Sequence, residues 1–274
     1  MSVERFRALW RGRRRPALIS VHRGLWSQAP ENSLAAIRAA AGYGIIEIDA
    51  QLSRDGVPVV IHDADLIRTT GQAGLVAETD SAPLTALTLL ENDGGPAGAT
   101  STQTLPSLDA ALRAAGPEDY FDIDVKHPRE VEAIAAFLAR NGLQSRGSLK
   151  VDTTNVTDID RLLSLQDRFG MMVMAKVNLI EADLTLIQAL TDAGVAAAEV
   201  FFDDLDSLAK ASRIVGETMA LSTYSLDPVH CCGLSDARAK RDPEAVWGTL
   251  MDAGITMIMT DIAPDLACYL DTRA

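Results

Sequence analysis

Short apolar runs alternate along this chain with segments whose apolar positions recur at helical spacing. The runs at 17–21, 45–52, 120–125, 147–151, 171–176, 196–202, 218–223 and 256–260 predict strands. The segments 33–41, 108–115, 129–141, 157–168, 181–193, 204–215, 243–253 and 263–271 predict helices. Runs such as LISVH and IIEID are apolar almost throughout, as in strands of a parallel sheet covered on both faces. Eight β–α pairs in 274 residues predict an α/β fold, a TIM (β/α)8 barrel forming one domain over 1–274. An open doubly wound sheet is the alternative. Its dinucleotide-binding form is disfavoured because no G-x-G-x-x-G follows the first strand. Pro128, Pro243 and Pro264 fall near helix starts, Gly142 and Gly194 after helix ends. Asn32 is placed to cap the first helix.

One stretch breaks the rhythm. Residues 66–104, rich in Gly, Thr, Ala and Asp, carry no strong pattern. A loop this long inside a compact domain is either functional or mobile. It is a mobile surface loop or, as the family resemblance described below implies, a small insertion after the second strand that acts as a lid or substrate-selecting subdomain over the barrel mouth.

Charge narrows the partners. A net charge of −13 argues against nucleic acid. The acidity is uneven, because residues 1–16 hold six arginines (Arg5, Arg7, Arg11, Arg13, Arg14 and Arg15) against Glu4. That segment reads as a basic helix on a membrane surface or as a helix capping the acidic body. No apolar run approaches the roughly 20 residues that span a bilayer, so stable membrane insertion is not expected. The start of the chain lacks the apolar core of a secretory signal. Cys231, Cys232 and Cys268 make no disulfide framework, and a cytoplasmic location is expected.

The chemistry concentrates between Ser20 and Gly71. His22 and His62 each end an apolar run, and Glu47 and Asp49 lie between them at i, i+2. In a strand that spacing puts both carboxylates on one face. Oxygen ligands flanked by imidazoles point to metal-assisted acid–base chemistry. In a barrel the active groups sit at the C-terminal strand ends. There His22, Glu47 and Asp49 would meet Asp124 and Lys126 of F-D-I-D-V-K, with Tyr224 and Asp261 after later strands. Glu47, Asp49 and Asp124 form a hard-oxygen set for a divalent cation, Mg²⁺, Ca²⁺ or Mn²⁺ rather than zinc. Asp122 is a reserve ligand, and Asp124 is alternatively a partner of Lys126.

This segment resembles the glycerophosphodiester phosphodiesterase family. The pieces that carry the resemblance are, in order, His22-Arg23-Gly24, Pro30-Glu31-Asn32-Ser33, Glu47-Ile48-Asp49, Asp55-Gly56, His62-Asp63 and Arg68-Thr69-Thr70. The resemblance implies metal-dependent hydrolysis of a glycerophosphodiester to a phosphomonoester and an alcohol. It implies His22 and His62 as general acid and base, in an order left open, and Arg23 and Lys126 on the phosphate oxygens. The attacking group is water or a neighbouring substrate hydroxyl. The family commonly has glutamate where Asp124 stands. Many relatives have tryptophan where Tyr224 stands, and the phenol adds a hydroxyl for a polar substrate. Lys150, Asp152, Lys176, Asn178 and Glu199 at later strand ends suit a sugar-containing phosphodiester, or are ordinary salt bridges. Two other readings are a barrel protein without activity and a barrel enzyme acting on sugar phosphates. None of His22, Glu47, Asp49 or His62 is missing, which weighs against the first. The second would need a catalytic Lys or Glu in place of the paired histidines.

Overall fold

A computed structural model describes residues 2–180 and 184–273. Its strands are β1 (Leu18–Val21), β2 (Ile45–Leu52), β3 (Pro58–Val60), β4 (Thr88–Leu90), β5 (Thr100–Thr104), β6 (Phe121–Val125), β7 (Gly147–Asp152), β8 (Met172–Asn178), β9 (Ala197–Phe201), β10 (Ala220–Tyr224) and β11 (Met257–Thr260). The main sheet runs β1-β11-β10-β9-β8-β7-β6-β2-β3, with an additional β1–β2 pairing. Leaving out β3, which joins β2 antiparallel, these are the eight parallel strands of a TIM barrel. Each of the eight lies within two residues of its expected run. Their side chains are almost all buried, which is why they read as continuous apolar runs rather than alternating ones.

The chain divides into two compact units, Val21–Leu149 and Met1–Ser20 with Lys150–Ala274. In the first unit, β2 and β6 pair in register, setting Glu47 beside Asp122 and Asp49 beside Asp124. The helix Leu34–Ala40 is capped by Ser33, whose hydroxyl accepts from Ala36 N–H at 3.1 Å. Asn32, the expected cap, is not the cap. Its backbone is left-handed (φ 58°), and its side chain is held by β2 instead. Gly24 lies against this helix so closely that a Cβ would meet the Ala36 carbonyl carbon at 2.7 Å.

Residues 66–104 are not structureless. They hold helices Ile67–Thr70 and Ser81–Thr85 and the antiparallel pair β4–β5. Val76, Leu84 and Leu89 pack with Val59, Ile61, Leu66 and Leu105 into a small apolar cluster. Strands of three and five residues and helices of four and five are too short to show a clear period, so none of this was visible in the pattern.

In the second unit, the capping box of Asn155 and Asp158 starts the helix Val156–Phe169, and Asp204 caps Leu205–Val215. The expected helix 243–253 opens with a wider π-helical turn, Glu244–Gly248, before Thr249–Asp252. Of the expected helix 181–193, residues 181–183 lie outside the described residues and Leu184–Asp192 is helical. The basic N-terminal segment forms the helix Val3–Arg11, with Phe6 and Trp10 buried. Its apolar stripe is spent inside the protein. Arg7 donates to the Gly194 carbonyl and Arg15 pairs with Asp271, the geometry of a cap on an acidic body. Among the described residues, no helix is long and apolar enough to cross a membrane.

Candidate active site

The unit Val21–Leu149 holds His22, Arg23, Glu47, Asp49, His62, Asp124 and Lys126, all singled out by the sequence. β2 supplies Glu47 and Asp49, β6 supplies Asp124 and leads into Lys126, and the chain leaving β1 supplies His22 and Arg23. Carboxylate oxygens of Glu47, Asp49 and Asp124 all lie within 4.8 Å of one another. Asp122 is buried and is not among them. Tyr224 and Asp261 lie in the other unit, where Tyr224 ends β10 and its ring stacks on Phe201 at 6.5 Å.

Each carboxylate is fixed by its neighbours. Arg23 N–H donates to Glu47 Oε2 at 2.9 Å, and the turn that permits it places Arg23 itself at φ 52°. Asn32 Nδ2 donates to Asp49 Oδ2 at 2.8 Å while Asn32 Oδ1 accepts from Asp49 N–H at 3.2 Å. Lys126 Nζ bridges Asp49 Oδ1 and Asp124 Oδ2, each at 2.8 Å. Arg23 Nε lies 3.2 Å from Asp49 Oδ2. Burial alone would raise the Asp49 carboxyl, but Lys126, then Arg23 and His62, hold it below the usual carboxylate range. Burial likewise works against the Lys126 ammonium, yet Asp49 and Asp124 push it above its ordinary value.

The second histidine has its own support. Gln51, next on the Glu47–Asp49 face of β2, donates from Nε2 toward the carbonyls of Ile61, His62 and Asp63 at 2.8–3.0 Å. His62 Nδ1 lies 2.6 Å from Asp63 Oδ1. Asp63 is held in turn by Arg68 Nε at 2.6 Å and Nη2 at 3.0 Å. Burial works against the Asp63 charge, but Arg68 and His62 bring its carboxyl down to about 2. Arg68 also reaches Glu31 Oε1 at 2.8 Å, and Glu31 Oε2 accepts from Arg23 at 2.8 Å. Glu31 therefore joins two arginines and is not a member of the carboxylate cluster.

Reading the sequence alone missed Asn32 and Gln51 as clamps. Gln51 was detectable, because Glu47, Asp49 and Gln51 form one i, i+2, i+4 series on a strand. Asn32 was not, because its role depends on a left-handed turn that sends its amide away from the helix.

Residues 22–163 match the model of the glycerophosphoryl diester phosphodiesterase family. This chain belongs to that family. Residues 170–270 match a second model, described as a domain of unknown function. Among curated proteins, glycerophosphodiester phosphodiesterase 1 of Bos taurus is 46% identical over 59 residues, 21% of this chain and 18% of that one. The glycerophosphodiester phosphodiesterase of Caldanaerobacter subterraneus is 44% identical over 63 residues, 22% of this chain and 26% of that one. The chain thus spans about a fifth to a quarter of the length of these relatives. Among solved structures, a glycerophosphoryl diester phosphodiesterase from Parabacteroides distasonis superimposes with TM-score 0.75 at 19% identity, covering 100% of this chain and 93% of that one. An Oleispira antarctica phosphodiesterase in complex with the product sn-glycerol-3-phosphate gives TM-score 0.67 at 21% identity, covering 93% and 96%. These likenesses carry the TIM-barrel fold.

Proposed function

We propose that this chain hydrolyses a glycerophosphodiester to a phosphomonoester and an alcohol, and that it does so with a divalent cation. The observation that carries the reading is the group Glu47, Asp49 and Asp124, with oxygens within 4.8 Å, beside Arg23 and Lys126. Those donors fit Mg²⁺, Ca²⁺ or Mn²⁺: all are hard oxygens, and acids outnumber cations around them. Around them Glu31 and Asp63 pair with Arg23 and Arg68, Asp49 with Arg23 and Lys126, and Asp124 with Lys126. Bound there, the ion would act as a Lewis acid on the phosphodiester and offset charge in the transition state.

The chain's own groups do the rest. Arg23 and Lys126 hold non-bridging phosphate oxygens, Arg as a fork and Lys as a point charge. Of His22 and His62, one takes the proton of the attacking hydroxyl as the new P–O bond forms. The other protonates the departing alkoxide as the old bond breaks. Both tasks suit imidazole near neutral pH. The product would be the one bound to the Oleispira protein, sn-glycerol-3-phosphate. In this reading residues 66–104 act as a lid, Tyr224 binds a polar substrate, and the protein works in the cytoplasm on water-soluble products of lipid breakdown. The case for a sugar is weakened, since Lys150 and Glu199 are buried and paired at 2.7 Å.

The test is hydrolysis of bis(p-nitrophenyl) phosphate and glycerophosphocholine with Mg²⁺, Ca²⁺, Mn²⁺ or EDTA. Wild type should turn over only with metal, and His22→Ala and His62→Ala should each lose activity by about 10²-fold or more. Metal-independent turnover, or full activity in both variants, would refute it.

A further inference from the structure

A chain of ionic contacts runs from the insertion to His62. Asn92, Gly94 and Gly95 adopt left-handed backbone at the end of β4. The turn they form sits on Arg68 from two sides. Asp93 C=O accepts from Arg68 Nη1 at 2.6 Å, and Gly95 N–H donates to the Arg68 carbonyl at 2.7 Å. Asn92 C=O accepts from Glu31 N–H at 2.8 Å. The fit leaves no slack, because a Cβ on Gly94 would come within 2.1 Å of the Arg68 carbonyl oxygen. From this seat the guanidinium spends Nε and Nη2 on Asp63 and shares Nη2 with Glu31. Asp63 then meets His62 Nδ1 at 2.6 Å.

The chemistry of that last contact is one-sided. A carboxylate held ionised by a guanidinium fork accepts hydrogen bonds and donates none. The proton between His62 and Asp63 therefore belongs to Nδ1, and Nε2 is left bare to exchange protons. We propose that Arg68 is a positioning residue: seated by the turn 92–95, it orients Asp63 so that His62 keeps the Nδ1–H tautomer. This rests on the reading of His62 as acid or base given above. It adds that the insertion, through one arginine, sets the tautomer of the histidine read above as an acid or base.

Two readouts separate the inference from that reading. The first is ¹⁵N–¹H long-range NMR of the imidazoles near pH 8, with His62 assigned by its loss in His62→Ala. Wild type should show Nδ1–H with bare Nε2. Arg68→Gln, Arg68→Lys and Gly94→Ala should each show a mixture with Nε2–H while circular dichroism remains that of wild type. Arg68→Lys matters because it keeps the charge and loses the fork. The second readout is steady-state hydrolysis of glycerophosphocholine. The three variants should lower kcat by about 10- to 100-fold, with KM changed little. A wild-type His62 protonated on Nε2, or folded Arg68→Gln with an unchanged His62 tautomer, overturns the inference whatever the activity. If wild type hydrolyses no phosphodiester, the functional reading fails, and the NMR result still decides the Arg68 relay.

Discussion

The two units treat buried charge in opposite ways. In Val21–Leu149 the charges form an open network with an excess of acid, in which Asp49 alone meets Lys126, Arg23 and Asn32. In the other unit they are closed off. Lys150 and Glu199 satisfy each other at 2.7 Å. Asp236 is surrounded by the Ser225 and Thr260 hydroxyls at 2.6 and 2.8 Å and the Asp261 amide at 2.8 Å. Trp247 Nε1 completes that cluster by donating to the Ser225 hydroxyl at 3.2 Å. An acid-rich network has capacity for a further cation, whereas a closed one contributes to structure. The family match covers the first unit and runs on to residue 163, and 170–270 match a domain of unknown function.

The comparison breaks most visibly at Asp49. Asp49→Ala leaves Lys126 and Arg23 facing a hole, so the unfolding free energy in EDTA should drop by about 3–5 kcal/mol and calorimetric metal binding should vanish. Lys150→Ala should cost a similar amount, about 3–5 kcal/mol, by stranding Glu199. The double change Lys150→Met with Glu199→Leu should return stability to within about 1 kcal/mol of wild type and leave metal binding intact. If the double variant lost metal binding, the division of labour drawn here would be wrong.

Much of this was legible before any coordinates. The eight barrel strands declared themselves because strands covered on both faces must be apolar throughout. Glu47 and Asp49 stood out because two acids inside such a strand demand a partner. What stayed hidden depends on tertiary approach. Asn32 and Ser33 exchange roles because the turn at Asn32 is left-handed. Glu31 and Arg68 meet only once residues 66–104 fold back, and β3, β4 and β5 are too short or too polar to show a pattern. Phe6 and Trp10 are the buried residues of the N-terminal helix, although apolar residues there are few.

Titration sharpens the contrast with a smaller effect. Burial pushes the Asp236 carboxyl up to about 6, against the hydrogen bonds it accepts, while Asp63 is brought down to about 2. The signs are opposite. For Asp236 the folded chain binds the proton more tightly than the unfolded one. Its contribution is complete below about pH 4 and is lost as pH rises through 6, a change of roughly 2–3 kcal/mol. For Asp63 the contribution is complete above about pH 4 and is lost as pH falls toward 2. Urea unfolding from pH 4 to 7 should therefore show a decline in wild type that Asp236→Asn lacks. Equal slopes in the two proteins would remove Asp236 as its cause.

The smallest expected effect is the stabilisation by metal itself. At ten times its Kd, a divalent ion bound only to the folded chain adds about 1.4 kcal/mol. Thermal unfolding should show that rise in wild type and in the Lys150→Met, Glu199→Leu double variant, and not in Glu47→Gln.

The most direct test of the central claim is ³¹P NMR of glycerophosphocholine incubated with the wild-type protein and with Glu47→Gln, each with Mg²⁺ and with EDTA. The account requires the diester signal to be replaced by that of glycerol 3-phosphate in wild type with metal, and to persist in the other three samples. A diester signal that persists in all four, or disappears equally in EDTA, would contradict it.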